Sequence, residues 1–372
     1  MNKNKLSSFT IRGYKSISYD QPLTVELGDI NIMLGANGAG KSNIISFFKM
    51  LGYMMSGSLQ MFIAQSGTNQ NFLYYGSKKT PALCAEIRLD SNNDYDIYRF
   101  SLANAVHNTL IINSEEIEWK NNSCISDPFK KQVVSDFKET GLLGQNSNKA
   151  VQVIRNILSS CKVFQFSDSS VSSPMRQTST VDSAHYLQSE ANNLASFLYF
   201  LKNNYNESYR RIVEYVRDVV PQFRDFYLEP ERGYISLKWM DNSVNDYVFN
   251  ADQFSDGSIR YIALATLLLQ PEETMPKVII IDEPELGLHP YAIGQLAEMV
   301  KDASMHAQVI IATQSPALVD NFSLDDVMIV ERDDMEQCTT IKKLKEVDYK
   351  VWLDEYSNSD LWNKNVLGGR PV

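Results

Sequence analysis

The chain is poor in the residues that build disulfide scaffolds, zinc sites and membrane spans. Its four cysteines, Cys84, Cys124, Cys161 and Cys338, lie far apart with no Cys-x-x-Cys pair. That argues against a disulfide framework or a cysteine zinc site and predicts reduced thiols. His185, His289 and His306 show no ligand spacing with one another, so loop or surface roles are expected. No apolar run is long enough to span a bilayer; the longest, Ile259–Leu269, sits inside a helical pattern. The first eight residues lack an apolar signal core, so a cytoplasmic protein without a membrane partner is expected. Positive charge is also short: 35 Lys+Arg against 45 Asp+Glu leaves a net charge of −10. A wholly basic nucleic-acid coat is therefore disfavoured, although a local basic groove stays open. No internal repeat and no sustained heptad pattern occur, which argues against a long coiled coil.

What is present is an ordinary globular composition, 44% hydrophobic and 22% charged, in a chain long enough for two or three lobes. Ser8–Arg12, Leu23–Leu27 and Ile30–Leu34 read as strands, and a helix is predicted from Lys41 to about Tyr53. Residues 56–80 read as a loop with a short helix. Leu83–Leu89, Tyr95–Leu102 and Thr109–Trp119 alternate as an antiparallel patch should. Residues 121–160 are polar and helical in character, Lys162–Phe166 is a short strand, and Ser167–Thr180 reads as a mobile loop dense in Ser and Thr. Asn193–Val220 carries apolar residues at helical spacing and stops at Pro221. Phe226–Leu228 and Tyr234–Trp239 are strand-like. Beyond them the order Ile259–Leu269, Val278–Ile281, Tyr291–Ala303, Val309–Ala312 alternates helix and strand and suggests a parallel α/β core. The expected division is 1–120, an N-terminal lobe with antiparallel strands; 121–225, a mainly helical insertion; and 226–372, a C-terminal lobe.

Two motifs carry chemistry. Gly35-Ala36-Asn37-Gly38-Ala39-Gly40-Lys41-Ser42 fits the phosphate-loop pattern at every fixed position, after an apolar strand and before a helix. Glycines let backbone N–H groups converge on phosphate oxygens, and the positive helix start reinforces them. Lys41 would reach the β- and γ-phosphates of ATP, and Ser42 would place its hydroxyl on Mg²⁺. The second motif is the strand Val278–Ile281, which delivers Asp282 and Glu283 to its carboxyl end, where ligands bind in open α/β sheets. Asp282 would hold Mg²⁺ through water, and Glu283 would orient and polarise the attacking water.

Phe254-Ser255-Asp256-Gly257-Ser258, shortly before the acidic strand, resembles the signature motif of ABC-type ATPases. Pro284–Pro290, together with Asn37 and Asn43 flanking the lysine, resembles the RecF-like, SMC-like and OLD-like group. The closing segment Leu361–Pro371 resembles the tail of a group of predicted bacterial AAA/ABC ATPases. The resemblance implies an α/β ABC ATPase head with an antiparallel β-subdomain, a parallel α/β core, an inserted mainly helical lobe and no long coiled coil. It implies that Ser255, Asp256 and Gly257 of one subunit cap the γ-phosphate held by another, which requires a homodimer. Gln314, in Thr313-Gln314-Ser315-Pro316, stands where many relatives have a histidine. Its amide can donate to the γ-phosphate but cannot carry a proton, so slow or partner-controlled hydrolysis is expected. The family's nucleotide-sensing glutamine would be Gln165, and Arg12 and Tyr14 would approach the nucleotide.

The resemblance therefore implies an ATP hydrolase that dimerises on ATP and regulates a partner, in anti-phage defence or DNA maintenance. About 55 residues follow Pro316, too few for a nuclease domain of ordinary size, so a separately encoded effector is expected. Two other readings stay open at this point. One is RecF-like DNA binding, through Lys202, Arg210, Arg211 and Arg217 on one predicted helix. The other is a scaffold that uses ATP as dimer glue with little turnover. A transporter subunit fits the Asn-bearing phosphate loop and the inserted lobes poorly.

Overall fold

A computed structural model describes residues 4–91, 94–106, 109–121, 127–145, 148–183, 185–243 and 247–369. Cys124 and the last residues of the closing segment, Arg370 and Pro371, lie outside them. The chain divides into two compact units: Met1–Lys162 with Ser323–Val372, and Val163–Phe322.

In the first unit, alternation in the sequence becomes an antiparallel sheet. Its strand order is Leu23–Glu26, Lys5–Arg12, Ala82–Ser91, Asp94–Ala105, Thr109–Asn121, Phe129–Gln132. Along Ala82–Ser91 every second residue is buried from Leu83 to Leu89, the signature of a strand with one face on a core. That face packs on the helix Lys41–Met55 through aromatic rings. Phe9 meets Phe48 edge-on at 5.1 Å, and Phe47 stacks on Phe100 at 6.4 Å. Each such fully buried ring contributes about 1.5–3 kcal/mol by leaving water, so the helix behind the phosphate loop is anchored along its length. Residues 129–132, expected to be helical in character, instead pair with 116–119 as an edge strand. The same unit carries a second pairing that the sequence did not reveal. Ile30–Leu34 runs parallel to Val327–Arg332, which forms a hairpin with Thr339–Lys343.

In the second unit, Val278–Asp282 and Gln308–Thr313 form a parallel pair with Asp282 opposite Ala312. Both strands are apolar and buried, as strands covered on both faces must be. The apolar stretch at 259–269 is the core of the helix Asp256–Leu268, buried on every side from Ile259 onward. No helix among the described residues is long and apolar enough to cross a membrane.

The expected single helix over 193–220 is two helices, Leu194–Asn204 and Asn206–Val219. Tyr205 leaves helical geometry at φ −137°, ψ 57°. Asn203 and Asn204 turn their amides back onto the carbonyls of Tyr199 and Phe200 at 2.8 and 2.9 Å, the local bonding by which asparagine competes with helix propagation. The longest helices described, Lys41–Met55 and Pro290–Ser304, have 15 residues each. The architecture is thus an α/β head with antiparallel and parallel strands and without a long coiled coil among the described residues.

Candidate nucleotide-binding elements

The phosphate loop keeps its shape because glycine is required at two places. Gly40 has φ +113°, and a Cβ there would collide with the Thr339 side chain; at Gly35 it would collide with the carbonyl of Val330. Gly38 also has positive φ, at +81°, but faces open space. Lys41 is 5% exposed, and its ammonium donates to the loop's own carbonyls at Gly35 (2.6 Å) and Ala36 (3.0 Å). Its charge is thus already drawn to the inside of the loop. Asn37, Gly38 and the Ser42 hydroxyl-bearing side chain are exposed, and Ala39 is buried.

A brace missed by the sequence reading supports this loop. Thr339 donates from its hydroxyl to the Ala39 carbonyl at 2.9 Å and pairs with the Ser16 hydroxyl at 2.7 Å. Asn43 donates its amide to the same Ser16 hydroxyl at 2.6 Å. Asn43 also lines a cavity of about 450 Å³ with Lys15, Ser16, Tyr74, Tyr75 and Arg332. Lys15 donates to Ser46 at 2.6 Å, and burial, with Lys49 nearby, lowers its pKa. Nothing periodic marks Ser16 or Thr339; only the positive φ of Lys15, +50°, hints at a built turn.

Tyr14, expected to approach the nucleotide, lies in the aromatic core of the first unit. It is fully buried, with its hydroxyl on Ser46 at 2.9 Å and its ring among Phe47 and Phe72, because an aromatic beside this core gains more from burial than from solvent. Arg12 lies 5.2 Å from the centre of the Tyr19 ring and lines a separate cavity of about 390 Å³ with Cys84, Glu86 and Arg99. No phosphate-loop residue contributes to that cavity's wall.

In the second unit the acidic turn is held by side chains. Gln165 donates its amide to Asp282 Oδ2 at 3.0 Å, and Gln314 donates its amide to Glu283 Oε1 at 2.8 Å. Four residues from three segments therefore converge. Glu283 has φ +47°, a left-handed conformation that costs a non-glycine residue about 1–3 kcal/mol, and its N–H is secured by the Ala312 carbonyl at 2.8 Å. Two residues on, Glu285 is 7% exposed and accepts from the Thr313 hydroxyl at 2.5 Å. Its other carboxyl oxygen has no partner among the described residues. Burial raises the Glu285 pKa, opposed in part by the Thr313 hydrogen bond.

The segment resembling a signature opens the helix Asp256–Leu268. Ser255 caps it, accepting from the N–H of Ser258 at 3.1 Å. Gly257 leaves no room for a Cβ against the Gly287 carbonyl, which explains glycine there on packing grounds. Arg260, on the same helix, donates to the carbonyls of Phe166 (2.7 Å), Ser167 (2.8 Å) and Leu286.

The basic residues offered as one face lie on two helices, Lys202 on Leu194–Asn204 and Arg210, Arg211 and Arg217 on Asn206–Val219. Arg211 pairs with Asp302 at 2.9 Å, Arg217 donates to the Arg224 carbonyl at 2.7 Å, and Lys202 sits over the Tyr209 ring.

A glycine cradle follows one parallel strand, and an acid pair ends another, the order that P-loop sequence motifs require. Residues 30–320 match the family described as "AAA domain, putative AbiEii toxin, Type IV TA system". That match spans more than half of the chain, which belongs to this ATPase family. No curated protein matches it. Among solved structures, an SMC head bound to the C-winged-helix domain of ScpA is similar at 13% identity and TM-score 0.55, over 92% of this chain and 99% of that one. The SMC head domain from Thermotoga maritima is similar at 14% identity and TM-score 0.50, over 92% and 99%. An SMC head with an extended coiled coil, bound to the C-terminal domain of ScpA derived from Pyrococcus furiosus, is similar at 12% identity and TM-score 0.54, over 95% and 99%. At these identities the likeness concerns the fold.

Proposed function

We propose that this chain binds MgATP, dimerises on it and hydrolyses it, and that this cycle regulates a separately encoded effector, in anti-phage defence. The observation that carries the proposal is the acidic turn, where Asp282 and Glu283 each receive one amide donor, from Gln165 and Gln314. A solvated surface turn has no reason to hold two carboxylates this way, or to keep Glu283 in a left-handed conformation.

The residues present suit the ligand. At Gly35 and Gly40 a Cβ would strike Val330 and Thr339, so the loop keeps a glycine path, and the Lys41 ammonium is held on that loop. Loop N–H groups and Lys41 would hold the phosphates; Ser42 and Asp282 would hold Mg²⁺, which when bound neutralises charge on phosphate oxygens. Glu283 orients water and accepts its proton, and the Gln314 amide keeps the carboxylate aimed. Ser255, Asp256 and Gly257 act on the nucleotide of a second copy, so the competent form is a two-fold dimer. Direct nucleic-acid binding gains little support, because Lys202 lies on a different helix from Arg210, Arg211 and Arg217, and Arg211 and Arg217 are already bonded within the chain.

The test is Glu283→Gln. The variant should bind ATP, accumulate as a dimer in light scattering and release phosphate far more slowly than the parent. Wild-type turnover in this variant would remove Glu283 from the mechanism, and a monomer at saturating ATP would remove the dimer.

A further inference from the structure

The Ser- and Thr-dense segment bonds largely to itself over 168–177, and Ser179–Thr180 pairs with Tyr234–Ile235. Ser173 is fully buried and donates to the Asp168 carbonyl at 2.6 Å; Met175 is buried beside it. At its centre the Arg176 side chain is 3% exposed. The guanidinium donates back to the Ser169 carbonyl at 3.2 and 3.3 Å. Its remaining donors go to one short stretch: the carbonyls of Ala251 and Phe254 (3.2 Å), and the carboxylate of Asp256 at 3.1 Å. These residues lead into and open the helix Asp256–Leu268, around its cap Ser255.

An arginine buried to this degree must spend its donors on fixed acceptors, because each one left unpaired would carry a desolvation cost. Here three of four acceptors are backbone carbonyls, so the arrangement fixes the path of the chain as well as the charge. Asp256 itself is 69% exposed, so the ion pair alone would contribute little; the buried fork on the carbonyls does the holding. We infer that Arg176 is a positioning residue that presents the Ser255–Gly257 segment to a second copy of this chain. The inference rests on the proposed role of that segment in trans. Arg176 thereby ties the stretch that begins just after Gln165, the partner of Asp282, to the surface used by the other subunit.

The experiment uses the full chain in the Glu283→Gln background. ATP-driven dimerisation is followed by light scattering, and nucleotide binding by a fluorescent ATP analogue at concentrations where the protein is monomeric. Arg176→Ala should raise the ATP concentration at half-dimerisation about tenfold or more, where tenfold corresponds to ~1.4 kcal/mol, while monomer affinity changes less than about twofold. Arg176→Lys keeps the charge but loses the planar fork, and should give an intermediate shift of about threefold. Should Arg176→Ala fail to fold, Arg176→Lys and Arg176→Gln carry the test by the same two readouts. Unchanged dimerisation midpoints in Arg176→Ala, or in the two milder variants, would overturn the inference alone. Equal losses of monomer affinity and dimerisation would also overturn it, by showing a general structural role. A Glu283→Gln parent that stays monomeric would overturn the dimer reading on which the inference stands.

Discussion

The phosphate loop keeps its shape with glycines, its own carbonyls and a hydroxyl brace from Thr339, whereas the acidic turn is held by side-chain amides. At Gly35 and Gly40 the deciding fact is the room a Cβ would need, and Lys41 is satisfied by carbonyls of its own loop. At Asp282 and Glu283 the deciding fact is a pair of amides brought from Gln165 and Gln314. The first arrangement is set by packing within its own unit, against Val330 and Thr339. The second joins residues far apart in sequence, so it can change when any one contributing segment shifts.

Substitutions can break or sharpen this contrast. The largest effect is expected at Glu283→Gln, with phosphate release reduced about 10²–10⁴-fold, the range for a lost general base, and ATP affinity retained. A drop in affinity of the same size would blur the two regions into one. Next, Lys41→Ala should reduce ATP affinity by about 10²-fold, the scale of losing a charged, buried donor, as read by isothermal calorimetry. Gly40→Ala should cost more affinity than Gly38→Ala, about tenfold against about threefold, since both need positive φ but only Gly40 abuts Thr339. Equal losses would mean that dihedral strain alone matters. Gln314→Ala should slow turnover by about tenfold with little change in binding.

The smallest effect concerns pH and stability, away from both motifs. Burial, with Asp94 adding repulsion, pushes Asp96 up to about 6. The folded state therefore holds this proton more tightly than the unfolded chain, whose aspartate titrates near about 4. The stabilisation is fully present below that value and is lost as pH rises through about 6. Thermal scans at pH 4.5 and pH 7 should show a smaller difference in Asp96→Asn than in the parent. An unchanged difference would assign the pH dependence elsewhere.

Legibility in the sequence followed the range of the interactions. The strand at 30–34, the cradle and the helix from Lys41 were readable because glycine spacing and a following lysine impose a local geometry. Asp282 and Glu283 were readable because a buried strand must end somewhere polar. Gln165 could be singled out only by resemblance, and the geometry now places it on Asp282. Ser16, Thr339, Arg176 and Glu285 were invisible for one reason. Each is a lone polar residue whose partner lies far along the chain, and no periodicity announces such a pair. The helix over 193–220 was misjudged because its apolar spacing persists through a break made by Asn203, Asn204 and Tyr205, where local side-chain bonding outweighs the amphipathic pattern.

Thr339 reaches the Ala39 carbonyl across 300 residues of sequence. On the ribosome, at about 5–20 residues per second, the phosphate loop would emerge tens of seconds before the hairpin that braces it. Nascent chains that stop short of this hairpin would carry the entire phosphate-loop motif and yet hold a loop free to collapse. On the proposed function, release of the hairpin becomes the step at which a newly made chain first gains a firm grip on nucleotide. A timed translation arrest with a fluorescent ATP analogue would see that grip arrive late and all at once.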